Sequence, residues 1–390
     1  MKRSKRFSLL LTVTLVVTMV FAGTESIFAG SVTSGTVTPT TIEAQDINKV
    51  TDDTAVKYTA KMTTGTDSVT VIPVTTTKGG TICVPLSGVE VGKGVTVSLH
   101  TTAAATNGDR IGSTAYLSGT AREKTIYAKV AKAGTYYLKF ETAGYGAAMP
   151  QSVEFNALFY PNGGTLTKGT TYYGASPEGS KVSYYKITVP GNGYLTVSFP
   201  EKLSDYPSYL IKLTDSKKNS LFPDFETLSS SSDYKTRIGV KKGTYYIAVR
   251  TTQNAYGIKA SFTSVKENSG STKSKAKSIS KGSTKKGIIN VTQSDTSGDW
   301  YKFKITKTQY VKFDVTTLGS NGGGYGGLKF AFYQSGKSSP AFTKNIYGNN
   351  SATIQPYTYG SGTKLAPGTY YIKVSKYSHG NGYYKIKWLK

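Results

Sequence analysis

Short runs of alternating apolar and polar residues recur along most of the chain. Tyr301, Phe303 and Ile305 fall on one face of an extended segment, while Lys302 and Lys304 fall on the other. Tyr245, Ile247 and Val249 repeat the pattern, as do Val95, Val97 and Leu99. Gly, Asn, Asp and Ser separate these runs, the sequence pattern of half-buried strands joined by turns. Beyond the first 29 residues there is no long run with helical periodicity. The elements predicted are therefore strands, packed as sandwiches or barrels.

One strand pattern occurs three times. Gly-Thr-Tyr-Tyr stands at Gly134–Tyr137, Gly243–Tyr246 and Gly368–Tyr371, and each copy opens an alternating strand. The intervals, 109 and 125 residues, are of domain length rather than solenoid length. Tyr184–Ile187 aligns with Trp300–Phe303, and Tyr194–Val197 with Tyr310–Phe313, both at an offset of 116. Leu166–Gly169 aligns with Ile279–Gly282. The expected organisation is residues 1–29 as a signal peptide and 30–55 as a linker. Three β domains follow, over 56–163, 164–267 and 268–390, the first divergent. Glu267–Ser271 reads as the linker into the third.

The signal peptide is expected from a basic start (Lys2, Arg3, Lys5, Arg6), an apolar run over Phe7–Ala22, and Ile27-Phe28-Ala29 before cleavage. No second apolar stretch follows, and the C-terminal residues carry no sorting tail. The expectation is secretion, followed by release or by non-covalent retention on a surface such as the cell wall. The single cysteine, Cys83, lies in an apolar strand, where a buried thiol is expected rather than a nucleophile.

Charge is unevenly distributed. Residues 30–163 hold 11 basic and 10 acidic residues, 164–267 hold 14 and 8, and 268–390 hold 19 and 3. The last segment is thus net +16, all of it lysine. Such a field attracts anionic polymers, among them wall teichoic acids, acidic polysaccharides, anionic lipid surfaces and extracellular DNA. Lysine without arginine predicts weakly selective, salt-sensitive contact and argues against specific nucleic-acid readout. A solvated basic surface that only keeps the protein soluble is the competing reading. Lys285, Lys286, Lys302 and Lys304 are the candidate charged contacts. Tyr325, Tyr347, Tyr357, Tyr359 and Tyr377 are the candidate aromatic ones, unless they merely fill half-buried strand positions.

Ile279–Gly282, Gly287, Asp295, Asp299-Trp300-Tyr301, Pro367–Tyr371 and Gly382-Tyr383-Tyr384 together resemble the bacterial pre-peptidase C-terminal domain family. That family is similar in fold to the collagen-binding domains of secreted collagenases. The second segment resembles it less closely, with Ser183 where the third has Asp299, and the first keeps mainly the late hairpin. The resemblance implies three tandem jelly-roll-like β-sandwiches and an extracellular accessory or binding role without a peptidase domain. No cofactor is expected to be required, but some members of that family bind calcium through such acidic residues, and Asp295 and Asp299 are the candidates here. Those two carboxylates otherwise cap their loop by Asx-type hydrogen bonds.

Enzymatic chemistry finds little support. The two histidines, His100 and His379, lie in different segments, with no His-Glu-x-x-His helix and no Gly-x-Ser-x-Gly elbow. A serine triad would have to use one of them without a local signature. The expected function is non-catalytic binding to an anionic wall or extracellular polymer. The alternative is an accessory module that targets a separate secreted hydrolase to collagen or polysaccharide.

Overall fold

The computed structural model describes residues 41–51, 54–62, 68–143, 148–177, 181–201, 207–357 and 364–389. The expected signal peptide, half of the 30–55 linker and Tyr359 lie outside them. Among the described residues the only helical elements are the 3-10 turns Asn107–Asp109 and Ser230–Ser232. Among these residues no helix is long and apolar enough to cross a membrane.

The strands form six sheets, paired face to face around three apolar cores. In the third sandwich the five-stranded sheet runs Lys277–Ser278, Asp299–Ile305, Gly368–Tyr377, Gly327–Gln334, Phe342–Tyr347. Its four-stranded partner runs Thr284–Ile289, Asn381–Trp388, Phe313–Ser320, Asn350–Ile354. The second sandwich has the same strand order: Gly164–Thr165, Ser183–Val189, Gly243–Arg250, Tyr209–Thr214, Glu226–Leu228 over Thr171–Gly174, Tyr256–Ser264, Gly193–Glu201, Lys235–Val240. In each, the first short strand pairs parallel with the second, and the other resolved pairings are antiparallel. The first sandwich keeps that order in its sheet Ile42–Glu43, Val69–Thr76, Gly134–Thr142, Gly94–His100, Arg110–Ser118. Its opposite sheet adds Gln45–Asp46 beside Leu158–Pro161, and Lys124–Val130 pairs with Gly80–Ser87.

The alternation of the sequence sets the faces. Tyr301, Phe303 and Ile305 are buried, and Lys302 and Lys304 are exposed. The repeated Gly-Thr-Tyr-Tyr has a structural reason in the turn before it. Its first tyrosine is buried and donates to a carbonyl four residues upstream: Tyr136 to Lys132 O at 2.9 Å, Tyr245 to Lys241 O at 2.9 Å, Tyr370 to Ala366 O at 3.0 Å. One side chain thus fills the core and ties down the entry turn. Its second tyrosine points outward.

The aligned Tyr185 and Tyr301 are also equivalent in space. Each is fully buried, and its hydroxyl meets a second buried tyrosine, Tyr256 at 2.9 Å and Tyr384 at 2.8 Å. One expected strand starts later than its alternation suggests. Gln309 bridges Leu365 in both directions, so the run from Tyr310 becomes a strand only at Phe313.

Contacts gather the chain into two compact units, Met1–Asn162 with Tyr173–Lys181, and Gly163–Tyr172 with Val182–Lys390. Within the latter, the second and third sandwiches interlock. Val291 N–H donates to Gly239 O at 2.8 Å, Gly239 N–H donates to Asn381 Oδ1 at 2.9 Å, and Val291 packs into the second core. Buried Glu226 accepts from Thr236 at 2.9 Å and from Ser320 at 2.5 Å across the same seam. Burial raises its pKa, and those hydroxyls pull the other way. Glu267–Ser271, expected as a linker, is bound into the third sandwich: Gly270 and Trp300 exchange two backbone hydrogen bonds, and Ser269 donates to Asp299.

Candidate polymer-binding face

The four candidate lysines do not form one patch. Lys302 and Lys304 stand on the outer face of the five-stranded sheet. Lys286 lies on the outer face of the four-stranded sheet, in register with Lys385. Lys285 pairs with core-facing Ile386, so it points to the other side of that sheet from Lys286. Adjacent residues on a strand cannot share a face. The third sandwich therefore presents lysine on both of its broad sides.

The outer face of the five-stranded sheet combines charge with aromatic surface. Register sets Trp300 beside Lys373, and Lys302 beside Tyr371, which itself adjoins Tyr333. Trp300 and Tyr333 pack at 5.2 Å between ring centroids. Lys373 Nζ lies 5.7 Å over the Trp300 ring, and Lys273 Nζ lies 5.1 Å and 5.0 Å over Tyr333 and Tyr371. Such contacts hold ammonium groups at defined places on the surface. Burial and the neighbouring Lys329 charge lower the pKa of Lys373. Of this group only Lys302 was singled out from sequence. Trp300, Tyr333 and Tyr371 share its outward parity, but parity does not reveal which strands are neighbours.

At one end of the face Gly327 sits in register between Tyr347 and Tyr377. The two rings meet edge to face at 5.8 Å, and they are 46 % and 38 % exposed. A Cβ at Gly327 would lie 2.5 Å from Ile346 O, so glycine is required there. Tyr325 stands 92 % exposed on the adjoining loop, where Gly322 and Gly323 take φ of 66° and 81°. Tyr357 is also exposed but packs edge-on at 5.3 Å against Phe342, which starts the strand that Tyr347 ends.

Asp295 and Asp299 stand in different surroundings. Asp299 is 8 % exposed, and its two oxygens accept from Tyr384 at 2.6 Å and Ser269 at 2.9 Å. Asp295 is exposed. Among the described residues no three His, Cys, Asp or Glu side chains gather as metal ligands. Calcium requires six to eight oxygens, and Asp299 is already committed to a buried hydroxyl network. Burial raises its pKa, against those two hydrogen bonds. Glu267, which accepts from Ile288 N–H at 3.0 Å, is pushed up to about 7 by burial first and the Asp299 charge second.

The first sandwich contains an arrangement that no local motif announced. Ser98 Oγ lies 2.8 Å from His100 Nε2, and His100 Nδ1 lies 2.9 Å from Asp109 Oδ1 and 3.0 Å from Thr106 O. Both neighbours of Nδ1 are acceptors, so Nδ1 carries a proton, while Nε2 and the Ser98 hydroxyl share the contact on the other side of the ring. This is the hydrogen-bonding order of a Ser-His-Asp triad. Ser98 and His100 are however 2 % and 1 % exposed and sit two residues apart on one strand, so a substrate carbonyl has no approach to Ser98. The relay anchors residues 101–109 to the strand. His379, by contrast, is exposed in the third sandwich.

No protein-family model matches the chain, and no curated protein matches it in sequence. Among solved structures, it is similar to the pre-peptidase C-terminal domain of collagenase from Bacillus anthracis. The identity is 18%, over 32% of this chain and 99% of that one, with a TM-score of 0.21. It is also similar to the structure of the M60 catalytic domain with the CBM51-1 and CBM51-2 domains of ZmpB from Clostridium perfringens. There the identity is 10%, over 85% of this chain and 34% of that one, with a TM-score of 0.21. Likenesses this slight leave the functional reading to the chain's own residues.

Proposed function

We propose that this is a secreted, non-catalytic binding protein whose third sandwich holds it to an anionic cell-wall or extracellular polymer. The observation that carries the reading is the outer face of the five-stranded sheet. Lys302, Lys304, Lys329 and Lys373 stand there among Trp300, Tyr333 and Tyr371, and no acidic residue occupies an outward position on its three central strands. Lysine ammonium groups attract a polyanion over distance, and the rings beneath them give it a firm surface to lie on. The buried Ser98 relay gives no reason to add catalysis.

The test is sedimentation of the mature protein with intact cell walls, walls stripped of anionic polymer, and collagen fibrils, each at low and high salt. Binding to intact walls that salt or stripping abolishes is expected. Loss of retention is expected from Lys302→Gln with Lys304→Gln. Unchanged retention on stripped walls would overturn the charge-based reading.

The exposed Tyr347–Tyr377 pair favours a second reading, an accessory module that directs a separate hydrolase to collagen or a neutral polysaccharide. That reading expects binding that survives high salt and is lost in Tyr347→Ala with Tyr377→Ala.

A further inference from the structure

At one end of the third sandwich the turn Ser280–Ser283, the loop after Asp299–Ile305 and the start of Gly368–Tyr377 surround an open depression of about 790 Å³. Lys281, Lys302, Lys304 and Lys307 all line it, and no acidic residue does. Neutral donors stand between them, the hydroxyls of Ser278, Ser280, Thr306 and Thr369. The turn is well fixed: Ser280 N–H donates to Ser283 Oγ at 3.0 Å, and Gly282 N–H donates to Trp388 O at 2.8 Å. Lys302 and Lys304 are two residues apart on one strand, so their Cα atoms stand about 7 Å apart on one face.

We infer that this depression is a binding site for successive phosphates of a polyol phosphodiester chain. The inference rests on the polyanion reading above and assigns it a place and a chemistry. Point-charge ammoniums with hydroxyls between them suit the oxygens of a phosphate, and the segment lacks the guanidinium fork that reads carboxylate or phosphate bidentately. Nucleic acid has phosphates of the same kind, but its bases need free aromatic faces to stack on. Phe303 and Trp388 in this lining are buried, and Lys273 already covers Tyr371. A flexible chain without bases is therefore the better occupant.

The corresponding positions of the other sandwiches differ. The second has Lys168, Lys186 and Thr188 where the third has Lys281, Lys302 and Lys304. The first has Pro73 and Thr75 in the places of Lys302 and Lys304. Only the third sandwich therefore carries a full set of charges at this end.

The experiment titrates the mature protein with poly(glycerol phosphate), polygalacturonate and oligo(dT) by calorimetry at two salt concentrations. One variant carries Lys281→Gln, Lys302→Gln, Lys304→Gln and Lys307→Gln. A second removes the same charge elsewhere, at Lys285, Lys286, Lys385 and Lys387. Thermal midpoints close to that of the parent show that both remain folded. The first variant is expected to lose at least about tenfold in affinity for poly(glycerol phosphate), the second less than about threefold. Equal losses would overturn the site and leave general polyanion binding intact. Tighter binding of polygalacturonate or oligo(dT) would overturn the phosphodiester-polyol assignment. Failure of the parent protein to bind any of the three would overturn the polyanion reading itself.

Discussion

The first and third sandwiches share the strand order of one sheet and one turn-pinning tyrosine, yet the outer faces of that sheet have little in common. Beside the second tyrosine of the repeated motif, the first has Pro73 against Tyr137, and the third has Lys302 against Tyr371. One strand position away the first has Val71 against Lys139, and the third has Trp300 against Lys373. On the same face the first buries the polar Ser98–His100–Asp109 relay under residues 101–109, where the third leaves lysine and aromatic side chains in water. The inward positions are constrained by packing, so they keep the fold recognisable. The outward positions are free of that constraint, and there the two sandwiches diverge in chemistry.

The cores are the place to break the comparison hardest. Phe303 touches Phe313, Tyr370 and Trp388 within 5.5 Å between ring centroids. Phe303→Ala is expected to cost about 3–5 kcal/mol, by lost burial and the cavity it leaves. Both tryptophans, Trp300 and Trp388, lie in the third sandwich, so their fluorescence reports its unfolding. Cys83 reports the other compact unit, because its thiol is buried and burial pushes its pKa up to about 12. The variant should lower the tryptophan transition and leave the onset of Cys83 labelling unchanged. A parallel shift in both would mean the two units unfold together.

A gentler substitution tests whether the three copies of the motif are equivalent. Tyr136→Phe, Tyr245→Phe and Tyr370→Phe each remove one hydroxyl that donates to a turn carbonyl. Each is expected to cost about 1 kcal/mol in urea unfolding. A near-zero effect at one site would show that its turn is held by other contacts.

Much of this fold was legible before any coordinates. The constant offset of 116 residues carried Tyr185 onto Tyr301, and both proved to be buried with their hydroxyls paired. Alternation correctly placed Lys302 outside and Phe303 inside. It fails at the next level, because period two says which face of its own strand a residue takes and nothing about which strand lies alongside. Lys285 and Lys302 therefore read as one patch in sequence and fall on different sheets. Trp300, Tyr333 and Tyr371, drawn from three strands separated by long crossovers, were not recognisable as a group. Asp109 joins His100 only because residues 101–109 fold back, and no spacing rule marks that return.

The finest test uses two carboxylates that titrate in opposite senses. In the first sandwich a hydrogen bond from Thr102 above all, with His100 and Thr106 adding to it, holds the Asp109 carboxyl down at about 2 against the opposing effect of burial. A depressed carboxyl stabilises the fold above its unfolded pKa of 3.8, and that contribution fades as pH falls toward 2. Glu267 behaves in reverse. Its folded pKa of about 7 exceeds the unfolded 4.5, so between those values the native state holds a proton that the unfolded chain has released. Stability from this group therefore falls as pH rises from about 4.5 to about 7, then levels off. Glu267→Gln keeps an oxygen for Ile288 N–H and cannot titrate. It should flatten the decline of the tryptophan transition over pH 5–7 without altering Cys83 labelling. Asp109→Asn should weaken protection of Cys83 at pH 7 and reduce its loss on acidification, with the tryptophan transition unmoved. If Glu267→Gln left the slope over pH 5–7 unchanged, Glu267 beside the buried Asp299 would not be what titrates there, and the contrast between the sandwiches would rest on their lysines alone.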